Sequence, residues 1–295
     1  TYYISLISSL ILAIIFYKIN IYEKKPNIFE KILTVFFGYI SIPLILEIPF
    51  YLSIYNLTFL NSYFESISVF TSTGFSIFEN IKHIDQSLIL WRSSTQWIGG
   101  LYFLFSIIFL IDIYDEIFKK TLTNYISFNS SEILKQAIKI FFLYSGITLL
   151  IFIILNISSI RSFDSLNLAL TLISSGGFLP VNDLSIILKE NFQIIVLALL
   201  MLFSFFSIFF SYNLIFLRKK NINFFYEDFH LVVYFIIIIF IFFLFFSFYN
   251  EFSNNLISIS CSISNIVFTI DTVMTTFIFV FFLFFIIVGW LFSCC

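Results

Sequence analysis

The sequence predicts an all-α integral membrane protein in which spanning helices alternate with helices too short to span. Three observations predict this. Sixty per cent of the residues are hydrophobic, 11% are charged and the mean hydropathy is +1.06, where a soluble globular chain carries roughly 25% charged residues. Apolar runs long enough to cross a bilayer, about 20 residues as a helix, recur along the whole chain. Between them lie shorter apolar runs that stop at small polar residues. A net charge of −2 with no basic stripe argues against nucleic acid as a partner.

Seven segments have the length and composition to span: residues 2–19, 32–55, 92–113, 136–157, 192–217, 230–249 and 273–293. Three shorter apolar runs, 61–70, 163–173 and 252–264, each fall between two of them. The order is one lone span followed three times by span, short run, span. This divides the chain into residues 1–30 (the lone N-terminal span and its connection), 31–118 (first repeat), 119–220 (second repeat) and 221–295 (third repeat, incomplete). Leu60-Asn61 leads to Gly74, Phe163-Asp164 to Gly177 and Phe252-Ser253 to Ile266, fourteen steps each time. The first two copies end alike, in Thr73-Gly74-Phe75 and Gly176-Gly177-Phe178, and the third has no glycine.

A run too short to cross, held between two that do cross, predicts a re-entrant half-helix that enters, breaks and leaves on the same side. Irregular backbone at membrane depth is tolerated only where protein or a water-filled cavity surrounds it. The loops that close the short runs are therefore candidate pore linings. A cation leaving water must have its hydration shell replaced, and a ring of backbone carbonyls does this without a fixed charge that would trap the ion. The candidate filter residues are Thr71, Ser72, Thr73 and Gly74 in the first copy, Ser174, Ser175, Gly176 and Gly177 in the second, and Ser264, Asn265 and Ile266 in the third. Gly74 and Gly177 are expected to take the unusual dihedrals that turn successive carbonyls inward. The half-helices end at these loops, so their negative dipole ends aim at the ion.

Charge sets the orientation. Eleven of the fifteen Lys and Arg flank the first, third and fifth connections, among them Lys24, Lys119 and Lys219. The connections that hold the short runs carry Lys82, Arg92, Arg161 and Lys189. The positive-inside rule places the first group in the cytoplasm and the re-entrant loops outside. Trp91 and Trp97 are then expected in the outer aromatic belt, with Arg92 an outer-end anchor and Gly99 and Gly100 points of close helix packing. Glu47, near the outer end of the second span, is expected to reach the interface. Asp112, Asp115 and Glu116 fit a solvated inner face. No catalytic residue is predicted, since no nucleophile–base pair or nucleotide loop occurs. His83 and His230 have no partner at ligand spacing, and Cys261, Cys294 and Cys295 have neither metal nor redox spacing, so no structural metal is expected either.

Two stretches carry a resemblance. ESISVFTSTGF (65–75) and WRSSTQWIGG (91–100) occur in the order and at the distance found in the Trk/Ktr/HKT family of potassium transporters, which the chain resembles over nearly its whole length. The resemblance implies a pore with pseudo-fourfold symmetry, about seven transmembrane helices and three re-entrant half-helices in this chain, and a fourth repeat that the chain lacks. Pro49-Phe50 resembles the family's Pro-aromatic and implies a kink beside the pore helix. The stretch Gly289 to Cys295, which includes Ser293, resembles the start of the family's gating loop. The function implied is potassium uptake across the inner membrane of a bacterium, with K⁺ as the transported ion and no covalently bound cofactor. The implied partners are the lipid bilayer, a second copy of the chain as a homodimer, and cytoplasmic nucleotide-binding regulatory subunits of the TrkA/KtrA kind. In related proteins a serine in place of the first filter glycine accompanies Na⁺ passage, so Gly74 favours K⁺. The competing readings are a non-conducting truncated or decayed homologue, a Na⁺-permeable relative, and a membrane-embedded enzyme, which the lack of clustered ionisable residues disfavours.

Overall fold

The computed structural model describes residues 2–19, 28–78, 81–110, 130–181 and 184–216. All regular structure among them is helical. The helices are α1 (Tyr2–Ile19), α2 (Ile28–Leu46), α3 (Ile48–Tyr51), α4 (Phe59–Phe70), α5 (Gln86–Leu110), α6 (Ser130–Ile157), α7 (Ser162–Ile173), α8 (Leu184–Ile187) and α9 (Asn191–Phe216). The chain divides into two compact units, residues 1–148 and 149–295, with the division inside α6.

Two of the three expected short runs are the twelve-residue helices α4 and α7; the third, 252–264, and the expected spans 230–249 and 273–293 lie outside the described residues. Among the described residues, two helices are long and apolar enough to cross a membrane, Phe29–Tyr51 and Ala137–Ile157. The 25-residue α5 is long enough but is interrupted by Arg92, Ser93, Thr95 and Gln96. All four are buried, so protein rather than lipid surrounds them. Two expected boundaries shift. The span drawn at 32–55 breaks at Glu47 and ends at Tyr51, and the one drawn from residue 92 begins at Gln86.

Polarity in the first unit is inverted relative to a water-soluble protein. Ser62, Glu65, Ser66 and Ser68 of α4 are buried, while Tyr3, Leu10, Phe29, Phe36 and Phe37 of α1 and α2 face outward. Lipid, not water, makes that distribution favourable, because apolar side chains cost nothing outside and polar groups must find partners inside.

The break between α2 and α3 shows how partners are found. Pro49 has no N–H to offer the Ile45 carbonyl one turn earlier. Ser5 of α1 donates to that carbonyl instead, at 3.1 Å. Ser66 of α4 donates to the Pro43 carbonyl at 2.8 Å, and the Trp91 indole of α5 to the Leu46 carbonyl at 3.0 Å. Three helices thus converge on carbonyls at the kink; the Ile45 carbonyl is freed by Pro49, while the Pro43 carbonyl also accepts from the Glu47 N–H at 2.8 Å. Trp97 similarly donates to Thr148 of α6 at 3.0 Å, and Tyr144 donates back to the Trp97 carbonyl at 3.3 Å. The two tryptophans, expected in an outer belt, are interhelical hydrogen-bond donors.

Candidate ion-conduction loops

Thr58 caps α4, its side-chain oxygen accepting from the Asn61 N–H at 3.4 Å. The far end of α4 closes in a Schellman turn. The Ser72 N–H donates to the Val69 carbonyl at 3.2 Å and the Thr73 N–H to the Ser68 carbonyl at 3.0 Å. Ser72 takes the left-handed conformation that this turn requires, with φ of 54°. The second unit repeats the turn at the end of α7. Ser175 donates to Leu172 at 3.2 Å, Gly176 donates to Thr171 at 3.0 Å, and Ser175 has φ of 52°.

A second device is also repeated. The Ser68 hydroxyl donates to the Phe75 carbonyl, and the Thr171 hydroxyl donates to the Phe178 carbonyl at 3.0 Å. In each unit a hydroxyl three residues before the cap pins the chain just past the glycine back onto the half-helix. The loop between is held as an arch. Gly74 takes the positive φ expected of it, at 87°. Gly177, as a correction, is not among the described residues with positive φ, and both left-handed Schellman positions are serines. A serine there costs about 1–2 kcal/mol, so the surrounding contacts over-determine the turn.

The turn engages the carbonyls of Ser68, Val69, Thr171 and Leu172. Among the described residues no backbone N–H is bonded to the carbonyls of Thr71, Thr73 or Gly74, nor to those of Ser175, Gly176 or Gly177. Six of the eight described filter candidates therefore keep their carbonyls out of the backbone ladder. Thr71, Thr73 and Gly74 are exposed, Ser175 and Gly177 half-buried and Gly176 buried. The third-copy candidates Ser264, Asn265 and Ile266, and the gate-loop start Gly289 and Ser293, lie outside the described residues, as do Asp112, Asp115, Glu116, His230 and the three cysteines.

One feature beside the first loop escaped the sequence reading. Arg92 Nε lies 2.9 Å from Glu65 Oε1, and both side chains are buried, 4% and 0% exposed. Arg92 is thus no outer-end anchor. The Glu65 carboxylate also accepts from the Ile77 N–H at 2.9 Å and from the Ser76 hydroxyl at 3.2 Å. Its sequence signal was an acid inside a short apolar run with an arginine on the next helix. Gly99 behaves as expected of a packing glycine: a Cβ there would lie 1.8 Å from the Phe70 carbonyl oxygen, so α5 crosses the end of α4 in direct contact. Glu47 is buried rather than at the interface, and its Oε2 accepts no hydrogen bond among the described residues.

No family model matches the chain. Over 162 residues it is 28% identical to an uncharacterized cation transporter of Methanocaldococcus jannaschii, covering 52% of this chain and 33% of that protein. Over 64 residues it is 38% identical to the Trk system potassium uptake protein TrkI of Halomonas elongata, covering 22% of this chain and 12% of that protein. The fold matches the crystal structure of the potassium transporter TrkH from Vibrio parahaemolyticus with a TM-score of 0.61, over 82% of this chain and 51% of that one, at 14% identity. The chain is thus similar in sequence to proteins named for cation transport and potassium uptake, and in fold to a potassium transporter. It spans a third or less of the length of these curated relatives and about half of the solved chain.

Within the chain, α9 aligns with α5. Leu88, Arg92, Ser93, Thr95, Gln96 and Gly99 are buried on α5, and Gln193, Leu197, Ala198, Leu200, Met201 and Ser204 are buried on α9 in the same order and spacing. Gln193 anchors this register. Its side-chain oxygen accepts from the Lys189 N–H at 2.9 Å and the Glu190 N–H at 3.4 Å, and its amide donates to the Ser158 carbonyl at 3.1 Å. Such a reach back from the third helical position closes a helix N-terminus.

Proposed function

We propose that this chain belongs to a potassium uptake pathway and that its half-helix loops supply backbone carbonyls to the passing ion. The observation that carries this is the twofold occurrence of one loop design: a Schellman turn, a hydroxyl pin, and between them carbonyls outside the backbone ladder. Carbonyl oxygens can stand in for the water oxygens a dehydrated cation loses. Each half-helix ends at its loop and turns the negative end of its dipole toward it. No side chain in either arch carries a charge, so a cation is attracted but not trapped.

The filter residues are Thr71, Ser72, Thr73 and Gly74 with Ser174, Ser175, Gly176 and Gly177, joined by Ser264, Asn265 and Ile266 from the third copy. Transport involves no covalent step and no cofactor other than the passing ion. K⁺ is the favoured ion because a glycine stands at 74. The protein sits in the cytoplasmic membrane with its loops facing outside, acts as a homodimer, and is regulated by cytoplasmic nucleotide-binding subunits. The relatives named for cation transport and potassium uptake support this reading.

The test uses the full-length protein that contains this chain, expressed in a bacterium lacking its own K⁺ uptake. Growth on low potassium and rubidium uptake that K⁺ inhibits more strongly than Na⁺ are expected. Gly74→Ala is expected to lower rubidium uptake at least tenfold without loss of membrane insertion, because a Cβ at φ of 87° disfavours the turn by about 1–2 kcal/mol. Rubidium uptake by Gly74→Ala at the wild-type rate would remove this residue from the filter.

A further inference from the structure

The Glu65–Arg92 pair has no counterpart in the second repeat, and the way it is missing is informative. The positions equivalent to Glu65 and Arg92 are Leu168 and Leu197, both fully buried. The position equivalent to Ile77, whose N–H the Glu65 carboxylate accepts, is Pro180. Where the carboxylate is absent, the arginine that neutralises it is absent, and so is the N–H that needs it. Three positions on three segments differ together. They form one device, present in one copy of an otherwise matching design.

We infer that Glu65 is a positioning residue: its carboxylate, held by Arg92, fixes the outgoing arm of the first loop at Ser76 and Ile77 and so sets the spacing of the carbonyls at Thr71 to Gly74. The inference rests on the potassium-uptake reading for its consequence and on geometry for its cause. The incoming arm is already secured by the Schellman turn, and the hydroxyl pin holds Phe75. Beyond Phe75, the carboxylate holds the chain through Ser76 and Ile77. A neutral hydrogen bond would hold less well, since bonds to a charged acceptor are roughly twice as strong. The arginine leaves that charge in place without exposing it to the ion path, because the two charges lie 2.9 Å apart and are both buried. The first loop is thereby clamped by a charge, where the second has the buried apolar residues Leu168, Pro180 and Leu197 at the equivalent positions.

The test again uses the full-length protein. Glu65→Leu alone strands a buried guanidinium and is expected to accumulate poorly. The pair Glu65→Leu with Arg92→Leu copies Leu168 and Leu197, leaves no buried charge behind, and is expected to accumulate like the wild type. In this double variant, hydrogen exchange of the peptide covering residues 71–78 in detergent is expected to quicken on the order of tenfold, the scale set by losing a charged hydrogen bond. Its preference for rubidium over sodium in vesicle uptake should fall by a similar factor. Unchanged exchange in residues 71–78 of the double variant would overturn the inference, because the pair would then only fill space. Faster exchange with unchanged ion preference would equally overturn the link to the filter. If the wild-type protein transports neither ion, the potassium reading fails, and the exchange measurement still decides whether Glu65 holds the loop.

Discussion

The three helical glycines of the first unit with a described environment differ in what an added methyl group would meet. At Gly99 it would lie 1.8 Å from the Phe70 carbonyl oxygen, a backbone atom that cannot move without moving the end of α4. At Gly38 it would meet the Tyr102 hydroxyl, the tip of a side chain that can rotate. At Gly146, within α6, nothing lies within 4 Å. Gly99→Ala is therefore expected to destabilise by roughly the 1–3 kcal/mol typical of overpacking or more, and to disturb the candidate filter loop that follows Phe70. Gly146→Ala should be neutral or stabilising by up to about 1 kcal/mol, from helix propensity alone. Melting temperatures of the purified variants in one detergent check both. Equal melting temperatures for the two would show that α5 can draw away from α4. At this scale the sequence was partly legible. Gly99 was expected as a close-packing point because glycine in an apolar helix signals approach. The Glu65–Arg92 pair was not, because an arginine near the apparent start of a span has the same sequence signature whether it faces the interface or a buried acid. The six residues by which α5 begins earlier than expected, from Gln86, decide between the two.

The half-helices themselves were legible as elements. Their twelve-residue length, their place between longer segments and their equal distance to a glycine needed no tertiary information. Their closing geometry was not legible, because a Schellman turn with serine at the left-handed position defies the preference for glycine there. The serine is tolerated because the hydroxyl pin closes the arch from the other side. The two repeats supply a natural control for that pin, since Ser68 in the first copy is Thr171 in the second. Ser68→Thr should therefore leave stability and loop protection near wild type. Ser68→Ala removes the donor to the Phe75 carbonyl and should cost about 1 kcal/mol. Hydrogen exchange across residues 71–78, alongside a melting curve, distinguishes them. Wild-type protection in Ser68→Ala would mean that the Schellman turn alone holds the arch.

Orientation in the bilayer belongs to the whole molecule, and the inverted polarity of the first unit limits how it can be read. Hydropathy alone marks two described helices as spans, because the inward polar residues of α5 mask its role. Charge distribution is unaffected by that masking, since translocation responds to Lys and Arg near helix ends rather than to burial. Eleven of fifteen basic residues flank alternate connections, so the start of α2 is expected in the cytoplasm, and the α3–α4 and α8–α9 connections outside. The prediction is tested in a full-length background with the native cysteines replaced by serine. Single cysteines are introduced at Glu30, Asn56 and Lys189, all exposed positions. Cells are then treated intact with a membrane-impermeant thiol reagent. Asn56→Cys and Lys189→Cys should label, and Glu30→Cys should label only after the membrane is opened. Between these two sites lie the half-helices α4 and α7 and the long helices α5 and α6, so their joint labelling requires an even number of crossings, as when α5 and α6 cross and both half-helices re-enter. Labelling of Asn56→Cys without Lys189→Cys would break the repeat, since an odd number of crossings would then separate two connections that the shared loop design places on the same side. Labelling of Glu30→Cys alone would reverse the protein, and the dipole ends of both half-helices would then point along the opposite membrane field.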